Sequence, residues 1–252
     1  MNITATIITH NEERNIERCL SSLIGVADEI VVVDSFSTDA TADICRRYGC
    51  RVVERTFTGY GSQRQYAAGL ATGPYVLSID ADEFLSEELR ENIIALKTAG
   101  FGHRMYAFRV VNYICGHPLK GSGLAPNMQT RLFDKRYATW DLLDVGERLS
   151  YPGSVLPRPV HGELCHYRCG SYEELELKEM RNAQMRGRML AAAGIRPGAL
   201  MCVYRGVMAM LKCHFRQGAM LDGEAGRRIA LLKYYSTSHA YRTARSIVQK
   251  GK

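Results

Sequence analysis

The chain has 252 residues, of which 46% are hydrophobic and 23% are charged, which are ordinary fractions for a globular protein. They exclude disordered and collagen-like chains, and the eight cysteines form no CxxC pair, which argues against a disulfide scaffold. The length allows one large domain, or one domain with an appendage. The first residues lack the basic and apolar regions of a cleavable signal peptide, so we expect a cytoplasmic protein with reduced thiols.

The net charge of +7 is unevenly distributed along the chain. Residues 195–252 hold eleven Lys and Arg against two acidic residues, a balance of +9. Residues 1–194 hold 22 basic and 24 acidic residues, a balance of −2. A near-neutral body with a cationic tail calls for an anionic partner, either a nucleic acid or a phospholipid surface.

The first hundred residues alternate between short apolar runs and helical patterns. Apolar, β-branched runs predict strands at 3–9, 29–33, 51–54 and 75–79. Between the first two, apolar residues at i, i+3, i+4 and i+7 from Ile16 to Leu23 predict a helix. Strands that are apolar on both faces and alternate with helices indicate an α/β fold, with a parallel sheet covered by helices on both faces.

Polar side chains follow three of the predicted strands, where ligands bind in such sheets. The first strand ends at Thr9, the second runs into Asp34, and the fourth runs into Asp80-x-Asp82. No GxGxxG or GxxxxGKS follows the first strand, which argues against a dinucleotide enzyme or a P-loop NTPase. Asp80 and Asp82 instead predict a divalent cation that bridges to substrate phosphates. The alternative is that one of them caps a helix containing Phe84, Leu85 and Leu89.

Four segments, at residues 7–13, 27–39, 61–67 and 77–83, resemble the family 2 glycosyltransferases of the GT-A fold. The subgroup they resemble is that of the lipopolysaccharide-core β-glucosyltransferase-like proteins. Shorter matches at 131–133, 145–149, 164–167 and 221–226 extend the resemblance over nearly the whole chain. It implies a GT-A fold with a mostly parallel central sheet and a C-terminal helical extension, and it implies a metal-dependent, inverting hexosyltransferase.

Carried over residue by residue, the resemblance implies a site for a nucleotide-diphosphate sugar, with a UDP-hexose favoured. Thr9, Asn11 and Glu12 would line the nucleoside pocket, Asp34 would hydrogen-bond the base or ribose, and Arg64 would lie near the nucleotide. Asp80 and Asp82 would hold Mn²⁺ or Mg²⁺ on the diphosphate. Structural alternatives are that Asn11 only caps its helix, that Glu12 is a solvated acid, and that Arg64 is a surface residue.

The reaction also needs a base that takes the proton of the acceptor hydroxyl, and a carboxylate suits that role. Where the family has Val-His-Glu, this sequence has Val145-Gly146-Glu147, so the resemblance makes Glu147 the catalytic base. The change of His to Gly at Gly146 is a departure that bears on the acceptor and on the orientation of the base. Asp141 and Asp144 are alternative bases, and the structural alternative for Glu147 is an ion pair with Arg148.

Residues 101–170 predict short strands with mobile loops. Trp140, with Tyr113 or Tyr137, is a candidate for stacking on a sugar, although core packing is the alternative. His166 is best interpreted as a pocket or core histidine rather than a zinc ligand, because its spacing from Cys165 and Cys169 matches no familiar zinc pair.

The C-terminal third predicts two kinds of helix. Ser171 and Glu174 form a capping box that should open a helix through about residue 193. Residues 199–216 are apolar but carry cations, which favours a basic amphipathic helix in the headgroup plane over a membrane-spanning one. The alternative is a helix packed on the catalytic body. We therefore predict a catalytic domain at 1–194, with a nucleotide-sugar half (1–100) and an acceptor-side half (101–194), and a basic extension at 195–252.

The leading hypothesis is a glycosyltransferase that moves a hexose, with glucose favoured, from a UDP-sugar to a lipid-anchored envelope glycan such as lipopolysaccharide core. It would be cytoplasmic and docked through its tail on the anionic inner face of the cytoplasmic membrane. A polyprenyl phosphate or a protein is the alternative acceptor. A nucleic-acid-binding protein or an inactive scaffold is the alternative class, but no helix-turn-helix or RNA-binding aromatic pattern supports a nucleic-acid partner.

Overall fold

The computed structural model describes residues 2–142 and 147–250, with only the backbone of Lys250. Its contacts divide the chain into two compact units. The first unit comprises Met1–Val111 and Asn127–His166, and the second comprises Asn112–Pro126 and Tyr167–Lys252. The chain passes from one unit to the other within two of its long strands.

The first unit opens with the predicted alternation of strands and helices. Strands β1 to β4 pair in parallel in the order β3-β2-β1-β4, as the apolar runs predict. Ile8 lies opposite Asp80 and Thr9 lies opposite Asp34, so the polar strand ends meet at one edge of the sheet. The elements are β1 (Ile3–Thr9), α1 (Ile16–Leu23), β2 (Glu29–Asp34), α2 (Thr41–Arg47), β3 (Arg51–Glu54), α3 (Tyr60–Leu70) and β4 (Tyr75–Asp80).

The following segments extend this sheet with antiparallel strands. They are β5 (Glu83–Leu85), β6 (Met105–Ile114), β7 (His117–Pro118), β8 (Asn127–Asp134) and β11 (Arg158–Cys169), and helix α4 (Glu87–Ala99) lies between β5 and β6 in the chain. The strand order is β3-β2-β1-β4-β8-β6-β11-β5, with β7 on β6. The short strands β9 (Thr139–Trp140) and β10 (Leu149–Ser150) pair separately. The sheet is therefore mixed: β1 to β4 pair with one another in parallel, whereas the β4–β8, β8–β6, β6–β7 and β11–β5 pairs are antiparallel.

Helices cover both faces of the sheet, as predicted. On β4, Tyr75, Leu77 and Ile79 belong to a core cluster that also holds the buried residues of α1, α2 and α4. Val76 points to the opposite face and packs in a second cluster with Ala68 of α3. Each face of a central strand thus has its own apolar core, which is the reason for the continuous apolar run in the sequence.

Helix α4 is capped by Ser86, whose Oγ accepts hydrogen bonds from the backbone N–H groups of Leu89 (3.2 Å) and Glu163 (2.9 Å). Phe84 and Leu85 lie in β5 rather than in this helix. The alternative that Asp80 or Asp82 serves only as its cap is therefore wrong, and both side chains are available for other roles.

The second unit is mainly helical. It contains α5 (Tyr172–Ala192), α6 (Ala199–Leu211), a π-helical turn (Lys212–Arg216), a 3-10 turn (Ala219–Asp222) and α7 (Gly223–Lys250). Both α5 and α6 pack against α7. The Oγ of Ser171 accepts from the N–H of Glu174 at 3.1 Å, which confirms the predicted cap of α5. Helix α5 packs with α7, and Tyr167–Lys252 belong to the second unit, whereas the sequence predicts a boundary after residue 194.

No helix within 2–142 and 147–250 combines the length and the apolar character that crossing a bilayer requires.

Candidate active site

The loops that follow β1 and β2 are hydrogen-bonded to each other at the carboxyl edge of the sheet. Asp34, which is buried, accepts from both the N–H (2.8 Å) and the Oγ (2.5 Å) of Ser37. The N–H of Asn11 donates to Ser37 Oγ at 2.9 Å, and Asn11 Oδ1 accepts from the N–H of Thr38 at 2.8 Å. The predicted nucleoside residues Asn11 and Asp34 thus shape one continuous rim.

Asn11 does not cap helix α1, and Glu12 is not a solvated acid, so neither structural alternative holds. Helix α1 begins after Asn15, and the Asn11 side chain bonds to the β2–α2 loop, so the capping interpretation of Asn11 is wrong. Glu12 accepts from Asn15 Nδ2 at 2.8 Å, and its N–H donates to Thr41 Oγ1 at 2.8 Å. Glu12 is consequently part of the same rim rather than a solvated acid.

Two further residues at this edge carry unusual features. Thr9 is buried, and its Oγ1 has no hydrogen-bond partner among the residues that the structure describes. Phe36 has a left-handed backbone (φ 59°) while its side chain is 53% exposed. A bulky residue at positive φ is an outlier, and such strain concentrates at functional sites. Sequence reasoning missed Phe36, although an aromatic residue between Ser35 and Ser37 in a polar loop was the available signal.

Arg64, from α3, lies buried between two of the predicted site carboxylates. Its Nη2 donates to Asp80 Oδ1 at 2.5 Å, and its Nε donates to Glu147 Oε1 at 3.0 Å. Its guanidinium also lies over the ring of Trp140, 5.2 Å from the ring centroid. The surface interpretation of Arg64 is therefore wrong. Glu147 forms this ion pair with Arg64, whereas its structural alternative paired it with Arg148.

A second arginine, Arg131, belongs to a segment that carries the family resemblance but had no predicted role in the site, and it completes the environment of Asp80. Arg131 Nη2 lies 3.7 Å from Asp80 Oδ2 and donates to Glu83 Oε1 at 2.6 Å. Glu83 is fully buried, and its Oε2 accepts from the N–H of Asp80 at 3.0 Å. The signal for Arg131 was its position in a β8 segment whose neighbours Leu132 and Phe133 are apolar, since a charge there needs a buried partner.

Asp82 is paired with a histidine from β11. Antiparallel pairing sets His166 opposite Glu83, and His166 Nε2 lies 3.2 Å from Asp82 Oδ2. Its Nδ1 lies 3.8 Å from Glu83 Oε1. Sequence reasoning placed His166 in a pocket or core without a partner, and the pairing of β5 with β11 brings it to the site.

Burial and charged neighbours shift the pKa values of two carboxylates in this group. Burial by itself would raise the pKa of Asp80, but the charges of Arg64, Arg131 and then His166 lower that pKa to about 2. Burial raises the pKa of Glu83, against the opposing charge of Arg131. Two arginines and His166 face four carboxylates, those of Asp80, Asp82, Glu83 and Glu147. Carboxylate oxygens are the ligands that a hard divalent cation takes.

The side-chain atoms that could bind a metal fit a cation that also binds a substrate phosphate. Asp82 Oδ2 and His166 Nε2 lie 3.2 Å apart and are both partly exposed, whereas the Asp80 carboxylate contacts two guanidinium groups. Within 2–142 and 147–250 no three His, Cys, Asp or Glu side chains are arranged to hold a metal. Mg²⁺ commonly takes one or two carboxylates, waters and substrate phosphates, and imidazole adds a ligand that transition metals accept.

The other predicted residues that the structure describes have structural partners. Asp141 Oδ1 accepts from the N–H of Arg148 at 3.0 Å, and the N–H of Asp141 donates to the carbonyl of Arg148 at 3.0 Å. Asp144 and Gly146, the alternative base and the family departure, lie outside the described residues. Trp140 is buried beside Phe133 in a core cluster, as its core-packing alternative states. In the second unit, Tyr113 stacks on Tyr167 with ring centroids 4.9 Å apart.

The comparison with protein families decides the relationship. The model of the family described as "Glycosyl transferase family 2" matches residues 4–142, which contain the strand ends, Arg64, Asp80, Asp82 and Arg131. This chain belongs to glycosyl transferase family 2. The predicted family is thereby confirmed, and the mixed α/β sheet agrees with the GT-A fold that the resemblance implies.

Individual relatives are similar over different lengths. A glycosyltransferase of Rickettsia conorii, described as uncharacterized, is 37% identical over 140 residues, covering 55% of this chain and 50% of that protein. The lipopolysaccharide core biosynthesis glycosyltransferase LpsC of Rhizobium meliloti is 28% identical over 255 residues, covering 98% of this chain and 92% of LpsC. The chain thus spans about half the length of the Rickettsia relative and nearly all of LpsC.

Among solved structures, glucosyl-3-phosphoglycerate synthase from Mycobacterium tuberculosis, crystallised with Mn²⁺, UDP and glucosyl-3-phosphoglycerate, is 18% identical. The structural match covers 79% of this chain and 82% of the synthase chain, with a TM-score of 0.45. A likeness at this TM-score supports no inference about ligands.

Proposed function

We propose that this family 2 member is an inverting, metal-dependent hexosyltransferase. It moves a hexose, with glucose favoured, from a UDP-sugar to a hydroxyl of a lipid-anchored envelope glycan. The observation that carries the proposal is the convergence of charged side chains at the carboxyl edge of the sheet. We call this group the carboxylate–arginine cluster: Arg64, Asp80, Asp82, Glu83, Arg131, Glu147 and His166.

The nucleoside is assigned to the rim formed by the loops after β1 and β2. Asn11, Glu12 and Asp34 shape this rim, and the Thr9 hydroxyl is a buried polar group that a ribose hydroxyl, or a carbonyl or N–H of the base, would satisfy. The exposed ring of Phe36 offers a face on which a base can stack. Such stacking contributes about 1–3 kcal/mol per base in nucleic-acid complexes.

The diphosphate and its cation are assigned to the other part of the cluster. Asp82 and the predicted partner Asp80 would hold Mn²⁺ or Mg²⁺, and we add His166 because its Nε2 lies 3.2 Å from Asp82 Oδ2. A bound cation neutralises the negative charge that develops on the leaving nucleoside diphosphate. Arg64 and Arg131 keep Asp80 ionised and oriented at the end of β4.

Glu147 is assigned as the base. Its carboxylate takes the proton of the acceptor hydroxyl while that oxygen bonds to the anomeric carbon and the bond from this carbon to the diphosphate breaks. The hydrogen bond from Arg64 Nε to Glu147 Oε1 orients the base, and the same guanidinium contacts Asp80. One arginine therefore links the acceptor side of the reaction to the donor side.

The acceptor rests on the similarity to LpsC, which covers nearly the whole chain. A lipid-anchored glycan lies at a membrane, and the balance of +9 in residues 195–252 suits an anionic inner leaflet. We therefore place the protein in the cytoplasm, at the inner face of the cytoplasmic membrane.

Donor binding is tested by calorimetric titration of UDP with and without Mn²⁺. We expect Mn²⁺-dependent binding that Asp82→Asn abolishes, because the carboxylate charge is needed to hold the cation. Asp43→Asn is the matched control, since Asp43 is a highly exposed aspartate in α2 and should leave binding unchanged. Equal binding by Asp82→Asn and the unchanged protein would exclude Asp82 as a metal ligand.

The base is tested by Glu147→Gln, with truncated-core lipopolysaccharide as acceptor and a panel of UDP-hexoses as donors. Transfer should fall by about a hundredfold or more while UDP binding is retained, because the amide cannot accept the proton. Glu91→Gln, an exposed residue of α4, should retain activity. Full turnover by Glu147→Gln would remove Glu147 from the mechanism, and a panel that yields no transfer would count against the proposed reaction.

A further inference from the structure

Helix α6 and the turn after it present an apolar surface to solvent. We define the outward face of α6 as Leu200, Val203, Tyr204, Met208, Leu211 and Phe215, all of which are exposed. Leu200 is 87% exposed and Phe215 is 65% exposed. A run of large apolar side chains along one helix face marks an interaction surface, whereas single exposed apolar residues do not.

This outward face is not the surface that holds α6 in the fold. Cys202, Gly206 and Cys213 are the buried residues of the segment, and they lie on the side facing α7. The carbonyl of Cys202 accepts from Ser238 Oγ of α7 at 3.1 Å. At 3.6 residues per turn, the outward face lies roughly opposite these residues. The helix is therefore apolar on two sides, and α7 covers only one.

Cations border the outward face. Arg205, Lys212 and Arg216 are exposed, and residues 195–221 contain no Asp or Glu. By helical rotation, Arg205 and Lys212 fall between the outward face and the buried side. An apolar stripe with cations at its border is the pattern of a helix that lies in the plane of an anionic bilayer, with its apolar side chains below the headgroups.

We propose that the outward face of α6 inserts into an anionic phospholipid surface, with Arg205, Lys212 and Arg216 contacting the lipid phosphates. This docking surface rests on the proposed function only for its biological purpose, which is access to a lipid-anchored acceptor. Charge complementarity favours a bilayer over a second copy of the chain, because two copies of an acid-free cationic face repel each other. Insertion parallel to the surface also agrees with the finding that no described helix is suited to span a membrane.

The test is co-sedimentation of the full chain with vesicles of phosphatidylglycerol and phosphatidylcholine in equal parts, compared with pure phosphatidylcholine. We expect binding to the anionic vesicles that weakens with added salt. Leu200→Gln combined with Phe215→Gln should lower the partition coefficient by about tenfold or more, because two large apolar side chains no longer insert. Lys212→Gln combined with Arg216→Gln should lower it by about twenty-five-fold, since each cation contributes about fivefold.

Matched controls lie in the first unit. Leu156→Gln alters a leucine that is 83% exposed, and Arg158→Gln alters an exposed arginine, so neither should change vesicle binding. Circular dichroism checks that each variant remains folded. Equal binding by the Leu200/Phe215 variant and the unchanged protein would overturn the proposal. So would vesicle-independent dimers in sedimentation velocity that this variant dissociates, because the face would then bind a second copy.

Calorimetry with UDP and Mn²⁺ on the same variants separates this proposal from the proposed function. Vesicle binding without UDP binding would leave the docking surface intact and count against the transferase. UDP binding without vesicle binding would leave the proposed transferase intact and count against the docking surface.

Discussion

Arg64 has the largest role in the site, because two carboxylates from distant parts of the chain share its guanidinium. It contacts Asp80 at 2.5 Å and Glu147 at 3.0 Å while its own side chain is almost fully buried. Burial would lower the pKa of Arg64, but the charges of Asp80, Glu83 and Glu147 raise it, so Arg64 remains a cation. Removing one partner of such a buried group leaves uncompensated charge, which commonly costs about 3–5 kcal/mol.

Asp80 should remain ionised in acid, where an ordinary aspartate begins to take up a proton. Its folded pKa of about 2 lies below the value of about 3.9 for an unfolded aspartate. The charge of Asp80 therefore adds stability that is present above about pH 4 and is lost as the pH falls towards 2. The ¹³C carboxyl resonance of Asp80 should stay at its ionised position down to about pH 4.

The same resonance in the urea-unfolded chain is the control, with an expected midpoint near 3.9. A folded-state midpoint close to the unfolded one would show that Arg64 and Arg131 do not stabilise the charge of Asp80.

At the scale of elements, the register of the strands positions the side chains of the site. Parallel pairing brings the ends of β1, β2 and β4 to one edge, and antiparallel pairing of β5 with β11 adds His166. Because adjacent strands lie about 4.8 Å apart, side chains from neighbouring strands can meet one ligand. A register shift of one residue would turn these side chains to the opposite face.

The packing of α6 on α7 depends on the absence of a side chain at Gly206. A Cβ there would lie 2.9 Å from the backbone oxygen of Tyr234 and would also collide with Ser238 Oγ. We expect Gly206→Ala to lower the free energy of unfolding by about 1–3 kcal/mol, because overpacking outweighs the gain in helix propensity. Urea denaturation followed by circular dichroism measures the change.

Gly69→Ala is the matched control, since Gly69 is also helical but has open space around the position of an added Cβ. It should leave stability unchanged or raise it by up to about 1 kcal/mol. An equal response of the two variants would mean that α6 and α7 are not in close contact at Gly206.

At the scale of the whole molecule, the two units differ in composition and in surface. The residues of the carboxylate–arginine cluster belong to the first unit, whereas the outward face of α6 belongs to the second. The cationic excess lies in residues 195–252, which are part of the second unit. Donor chemistry and surface attachment are thus assigned to different parts of the chain.

Hydrogen exchange should separate these assignments. Saturation with UDP and Mn²⁺ at about one hundred times Kd adds about 2.7 kcal/mol of stability to the state that binds them. We expect the largest slowing of exchange in the loops after β1, β2 and β4, because they would contact the ligand directly. Peptides from α7 serve as the internal control. Protection that is stronger in α7 than in these loops would place the donor elsewhere.

Much of the fold could be predicted because local pattern determines it. Apolar runs indicated β1 to β4, and polar residues marked where the strands end, so the positions of Thr9, Asp34 and Asp80 at strand ends could be predicted without a structure. Ser171 was identified as a cap because its hydrogen bond reaches only three residues ahead, to Glu174. The membership in family 2 also rests on short segments in order, which the sequence displays directly.

Only the tertiary structure decided which charged residues meet. Arg64, Arg131 and His166 come from α3, β8 and β11, and whether such a side chain is buried depends on partners that local sequence does not reveal. For α6, periodicity indicated an amphipathic helix, but the contact with α7 determined which apolar side remains exposed. The physical reason is the same in both cases: hydrogen-bond reach along the chain is short, whereas charge pairing and packing join residues far apart in sequence.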